Sequence, residues 1–211
     1  MQHKNTPFVK LLLIAFCLAF GASPVWAAGT QYELDPAHAY IGFSVKHMMA
    51  SEVKGAFTDY EGTIHYDPNN IEDTKIDITI QSYSVDTRSP KRNDHLRQED
   101  FLNVEKYPTI LFTSDRIEER NGIYYLIGGL TIRNVSKWIE VPCIFAGPME
   151  SPFGAEIIGL TGSIIINRQD FGVRFNRPLD NGGFVIGNLV KIEFSFEAVK
   201  SSDMKKLLSK K

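Results

Sequence analysis

Residues 76–81, Ile-Asp-Ile-Thr-Ile-Gln, alternate without a break, with three isoleucines on one parity and Asp77, Thr79 and Gln81 on the other. A period of two is the signature of a β-strand with one dry face and one wet face. The same pattern returns near the C-terminus. There Val190, Ile192, Phe194, Phe196 and Ala198 oppose Lys191, Glu193, Ser195 and Glu197. Outward from these two stretches, extended segments are expected at 39–45, 53–66, 109–118, 123–133, 138–146 and 156–167. Asn121-Gly122 is the strongest hairpin signal, because both residues of a tight turn need positive φ. Asp67-Pro68-Asn69-Asn70 and Asp180-Asn181-Gly182-Gly183 mark further turns. Gly55 and Gly62 are expected as bends within 53–66.

The pattern predicts an all-β chain of about eight strands, mostly antiparallel by the length of their connections. At about 3.3 Å per residue such strands are roughly 30 Å long. Long strands with one dry face need a second sheet or closure on themselves, and their length favours a barrel over a sandwich. An eight-stranded barrel has an interior just wide enough for side chains or one ligand.

The long interruption is 85–112, VDTRSPKRNDHLRQEDFLNVEKYPTILF. Ser89-Pro90 suits a helix cap and first helical residue, so a short helical segment is expected near 89–99. It is crowded with charge, turns apolar at Phe101-Leu102 and re-enters a strand after Pro108. It reads either as a solvated crossover or as the cover of one end of a barrel.

The first residues have a basic start at Lys4 and Lys10, an apolar run over 11–20, and small residues leading to Ala27. That is a secretory signal peptide, expected to be cleaved after residue 27; the run is too short to serve as a membrane anchor. The expected organisation is a signal peptide over 1–27, a barrel domain over 28–200 and a flexible basic tail over 201–211. No integral membrane segment is expected after cleavage, and the mature chain is expected in the periplasm.

The formal charge is −2 for the whole chain, and loss of Lys4 and Lys10 makes it more negative, which gives no reason to expect nucleic acid. Of the two cysteines only Cys143 follows the signal segment, so an intrachain disulfide is not expected. His38, His47 and His95 lack the spacing of a metal set on one strand or helix, and no metal or other cofactor is read. No Gly-x-Ser-x-Gly occurs, and the adjacency of Asp94 and His95 says little about catalytic geometry. The chain is therefore expected not to be an enzyme.

Several motifs together resemble the YceI-like family. They are Leu34-Asp35-Pro36-Ala37-His38, Phe43-Ser44-Val45-Lys46-His47 and Gly55-Ala56-Phe57. In the centre follow Arg92-Asn93-Asp94-His95-Leu96-Arg97, Asp100-Phe101-Leu102-Asn103-Val104 and Tyr107-Pro108-Thr109-Ile110. Residues 129–135 and 166–173 complete the run. Three positions depart from the pattern: Tyr32 stands where tryptophan is common, Asn93 interrupts a usual Arg-Asp pair, and Asn134 replaces a usual glycine. The resemblance covers roughly 31–199.

It implies a lipocalin-like antiparallel barrel that holds a long apolar lipid, a polyisoprenoid or related amphiphile, as a carrier or sequestering protein. By parity and position, Phe43, Met48, Phe57, Phe101, Leu102, Phe112, Phe171 and Phe175 are the candidates for the tail. His38, His47, Arg92, Asp94, His95, Arg168 and Asp170 are the candidates for the head group, since guanidinium and imidazole groups suit phosphate or carboxylate. Arg168 and Asp170 read equally well as a structural ion pair. A homodimer is compatible with the sequence. Two other readings stay open: a hydrolase or isomerase acting on such lipids, and a solid-cored interaction or stress module.

Overall fold

Ten strands among the described residues form one antiparallel sheet that closes on itself; the computed structural model describes residues 29–179 and 183–208. They are β1 (Thr30–His47), β2 (Ser51–Phe57), β3 (Tyr60–Tyr66), β4 (Lys75–Gln81), β5 (Val85–Asp86), β6 (Thr109–Arg120), β7 (Ile123–Ile132), β8 (Val135–Glu150), β9 (Glu156–Asn167) and β10 (Ile186–Lys200). One helix, α1 (Pro90–Arg97), fills the interruption between β5 and β6.

Closure is made by β1, which pairs with β10 along most of its length, from Tyr32↔Lys200 to His47↔Ile186. Its other edge is shared. Thr30–Glu33 pairs with β3, and Ile41–His47 pairs with β2. Strands β1, β3, β4, β6, β7, β8, β9 and β10 thus complete an eight-stranded barrel, while β2 and β5 extend its wall at one end. The alternating stretches explain the inside. Ile76, Ile78 and Ile80 of β4, with Val190, Ile192, Phe194, Phe196 and Ala198 of β10, belong to one apolar core.

The turns follow from residue chemistry. Asn121 (φ 54°) and Gly122 (φ 78°) close the β6–β7 hairpin, and Arg133 (φ 52°) and Asn134 (φ 60°) close β7–β8 in the same left-handed way. Asparagine tolerates that region, so Asn134 replaces glycine at little cost. At the bulge between Ser114 and Arg116, Gly128 lies against the β6 backbone; a Cβ there would stand 2.3 Å from the Thr113 carbonyl oxygen.

Some boundaries differ from the expectation. The region 53–66 bends at residues 58–59 and not at its glycines, because Thr58 N–H donates to Ser84 O and Gln81 N–H to Asp59 O (2.9 Å). Gly55 and Gly62 are regular ladder positions, covered by the Phe43 ring and the Ile78 side chain. Pro90 is the first helical residue as expected, but the Ser89 side chain makes no capping bond. The segment 201–211, expected as a flexible tail, begins with a 3-10 turn (Ser201–Asp203) and a short helix, α2 (Met204–Leu208). Asp203 ties it to the barrel by accepting from Glu156 N–H at 3.1 Å. The segment expected as a signal peptide, 1–27, and most of the turn expected at 180–183 lie outside the described residues.

Candidate functional site

The register and contacts place α1, the His47–Ser51 turn, the Ile132–Val135 turn and residues 168–179 and 183–186 at the same end of the barrel. Beneath them lies an interior cavity of about 170 Å³ with an entirely apolar lining. A second apolar chamber of about 70 Å³ lies deeper and shares Ile41, Ile80, Leu130 and Ile192 with the first. These four side chains are the partition between the chambers.

Most of the tail candidates meet in this interior. Phe43, Phe57, Phe101, Leu102 and Phe171 line the upper chamber, and Phe112 lines the lower one. Phe43 and Phe57 pack with ring centroids 5.9 Å apart. Phe175 stands outside the chamber against Phe101, at 4.8 Å, and His95 caps both rings edge-on at 4.8 and 4.9 Å. The His95 ring is held by Asp100 through Nε2 at 2.9 Å. This aromatic trio separates the cavity from a shallow groove of about 420 Å³ on the outer surface. Met48 lines neither chamber; it sits exposed in the His47–Ser51 turn at φ 50°.

The head-group candidates divide. His47 ends β1 at the cavity end, and Asp170 is exposed in the turn after β9. His38 does not join them. It lies on the outer wall in a β1 bulge, bonded to Asp35 at 2.8 Å and 3.9 Å from Glu197. Arg92 donates through Nε and Nη2 to the Thr87 hydroxyl and carbonyl, both at 2.8 Å, and Asp94 pairs with Arg97 at 3.1 Å.

Arg168 is buried at 6% exposure and pairs with no carboxylate, Asp170 included, among the described residues. It donates to Gly187 O (2.9 Å), Val173 O (2.7 Å) and Asn188 Oδ1 (3.3 Å). Burial lowers its pKa, though a guanidinium stays charged. Because the cavity lining is apolar throughout, the stem of Arg168 borders the chamber while its fork ties Val173 to Gly187 and Asn188 at the barrel end.

Three residues of this end were not among the site candidates read from the sequence, although Asn93 was noted there as a departure from the motif. Buried Asn93 accepts from Thr87 N–H and Oγ1 and donates to Asp86 Oδ1, fastening α1 to β5. Arg133 Nη1 donates to Glu99 O (2.9 Å) and to Phe101 O, and its guanidinium lies over the Tyr107 ring. With exposed Arg174 it lines the outer groove beside Glu99, Asp100 and Phe175. The sequence signal nearest to Arg133 was the motif over 129–135, in which Asn134 replaces a usual glycine.

Comparison with known proteins agrees with this architecture. A UPF0312 protein of Staphylococcus aureus (strain MSSA476) is 31% identical over 169 residues, spanning 80% of this chain and 96% of that one. The Campylobacter jejuni YCEI protein is 32% identical with a TM-score of 0.62, covering 74% of this chain and 90% of its own. BcnA of Burkholderia cenocepacia shares the fold at 24% identity, with a TM-score of 0.68 over 78% of this chain and 98% of its own. A polyisoprenoid binding domain from Saccharophagus degradans shares it at 13% identity, with a TM-score of 0.61 over 82% and 99%. Residues 32–198 match the model of the YceI-like domain, and the chain belongs to that family.

Proposed function

We propose that the barrel binds the tail of a long apolar lipid, a polyisoprenoid or related amphiphile, as a carrier or sequestering protein of the periplasm. The observation that carries this reading is the apolar chamber inside the barrel, with Phe101 in its lining and Phe175 packed behind that ring. The Saccharophagus domain named for polyisoprenoid binding has the same fold.

Magnitudes constrain how binding works. A ligand pocket usually encloses about 300–1,000 Å³, while the upper chamber has about 170 Å³. A cavity of roughly that size accepts a benzene-sized unit, comparable to a single isoprene unit. A longer tail requires Ile41, Ile80, Leu130 and Ile192 to change rotamer so that both chambers join, and the interior to widen well beyond their combined volume. Burying ~40 CH₂-like groups would gross roughly 30 kcal/mol against water, beyond the practical ceiling of about 18–21 kcal/mol. The competitor, however, is a membrane as apolar as the cavity, so the tail alone gives little selectivity. The head group is left to the outer groove, where Arg133, Arg174, Glu99 and Asp100 supply both charges.

Native mass spectrometry of protein purified without refolding, combined with lipid extraction, tests the reading. A bound lipid, or saturable uptake of an isoprenoid by delipidated protein, is expected. Neither would leave a solid-cored module as the better description.

A further inference from the structure

Charge is divided sharply along the barrel axis. The segments that form the cavity end, 46–60, 81–108, 133–137 and 168–179, carry twelve Lys and Arg against eight Asp and Glu. The other described residues carry seven Lys and Arg against sixteen Asp and Glu. A chain with a small negative net charge is therefore strongly dipolar, with its positive pole around the mouth.

Large apolar side chains project from the same pole. Met48 and Met49 occupy the tip of the His47–Ser51 turn at φ 50° and 58°, and are 50% and 76% exposed. Met48 N–H donates to Val185 O at 2.9 Å, which brings this tip beside Phe184, itself 54% exposed. Leu189 adds to the patch from the outer face of β10. Two flexible thioethers held outward on a left-handed turn give no packing to the core. Neighbouring Lys54 and Arg177 are exposed, and neither has an ion-pair partner among the described residues.

We propose that the cavity end docks on an anionic lipid bilayer, with Met48, Met49 and Phe184 entering the headgroup boundary and the surrounding Lys and Arg meeting lipid phosphates. Apolar tips within a basic field are what an interfacial contact needs. The orientation sets the Phe101–Phe175 pair facing the membrane, so a tail passes between bilayer and barrel without crossing water. This extends the proposed function and rests on it for its purpose, though not for its test.

The test is vesicle flotation with the mature protein, using phosphatidylcholine alone and phosphatidylcholine mixed with phosphatidylglycerol. Uptake of a fluorescent polyene from vesicle-free solution is read in parallel. Binding at least about tenfold stronger to the anionic vesicles is expected, falling steeply at 1 M salt, where the Debye length is about 3 Å. M49N with F184S, and separately K54E with R177E, are expected to lose flotation while polyene uptake is kept; asparagine tolerates the φ of position 49. Equal binding to neutral vesicles, no flotation, or flotation unchanged in both variants overturns the proposal. So does equal capture by soluble poly-glutamate, which would indicate an acidic partner. Flotation without polyene uptake supports docking and overturns the carrier reading.

Discussion

Asn93 holds Thr87 twice: its carboxamide oxygen accepts from the Thr87 amide at 2.8 Å and from the Thr87 hydroxyl at 2.7 Å. Its amide nitrogen reaches Asp86 at 2.8 Å. Three bonds from one side chain fix the start of α1 against the last short strand of the wall. Asn93, together with Arg92 on the same threonine and Arg97 on the Tyr83 carbonyl, therefore holds a charged helix with little apolar surface on the barrel end.

Replacing Asn93 by alanine leaves a buried amide and hydroxyl without their acceptor, and such orphaned groups cost about 1–3 kcal/mol. A destabilisation of about 2 kcal/mol is expected, read from the urea midpoint at unchanged slope. Asn93→Asp sets a carboxylate where the amide now meets Asp86, so its penalty is expected to be larger at neutral pH than under acid conditions that protonate one of the pair.

That relationship also shows where sequence patterning stops. The barrel was legible because strand parity is a local code: the isoleucines of β4 and the apolar residues of β10 face inward as their spacing predicts. Asn121-Gly122 was legible because a tight hairpin requires φ above zero. The pairing of Asn93 with Thr87 and Asp86 joins neighbours across a turn whose path no periodicity announces. The same holds for Arg168, read as a partner of Asp170 or a head-group ligand. Its two shortest bonds go to the carbonyls of residues 173 and 187, and a carbonyl leaves no trace in side-chain identity. His38 was a head-group candidate by its motif, but that motif lies within β1, where the bulge between Leu34 and Ala39 leaves it on the outer wall.

Arg168→Lys is expected to act on the fold and not on head-group choice. A lysine has one nitrogen in place of the planar fork and cannot serve Val173, Gly187 and Asn188 together. Faster amide hydrogen exchange in 173–188 is expected, with the order of preference among lipid head groups unchanged. A changed preference at constant exchange would return Arg168 to the head-group role.

Phe175 lies outside the chamber and supports Phe101 with one ring face. Aromatic pairs contribute about 0.5–1.5 kcal/mol beyond their burial, which corresponds to roughly two- to tenfold in a rate. Phe175→Leu is expected to speed tail release by such a factor, measured by stopped-flow transfer of a fluorescent polyene to vesicles, with little loss of thermal stability. Phe101→Ala removes a buried ring and is expected to cost about 3–5 kcal/mol, so it cannot separate gating from folding as cleanly.

At the far end, Tyr32 donates its hydroxyl to Glu156 at 2.6 Å, and Lys200 approaches the same carboxylate at 3.1 Å. The Tyr32 hydrogen bond, with Lys200, holds the Glu156 pKa below its ordinary value of 4.5. Burial, followed by Glu156, pushes the Tyr32 hydroxyl above its ordinary value of 10. A depressed carboxylate pKa gives stability that is present above pH 4.5 and is lost as pH falls through the folded value. A raised phenol pKa gives stability that is present below pH 10 and is lost as pH rises toward the folded value. Tyr32→Phe removes the hydroxyl and keeps the ring in the core. The wild-type advantage over this variant is expected to be about 1 kcal/mol across neutral pH, modest because the carboxylate is partly solvated. It is expected to narrow both below pH 4.5 and above pH 10. Thermal melts of the two proteins across that range check it, and a pH-independent difference would mean that the hydroxyl contributes by packing alone.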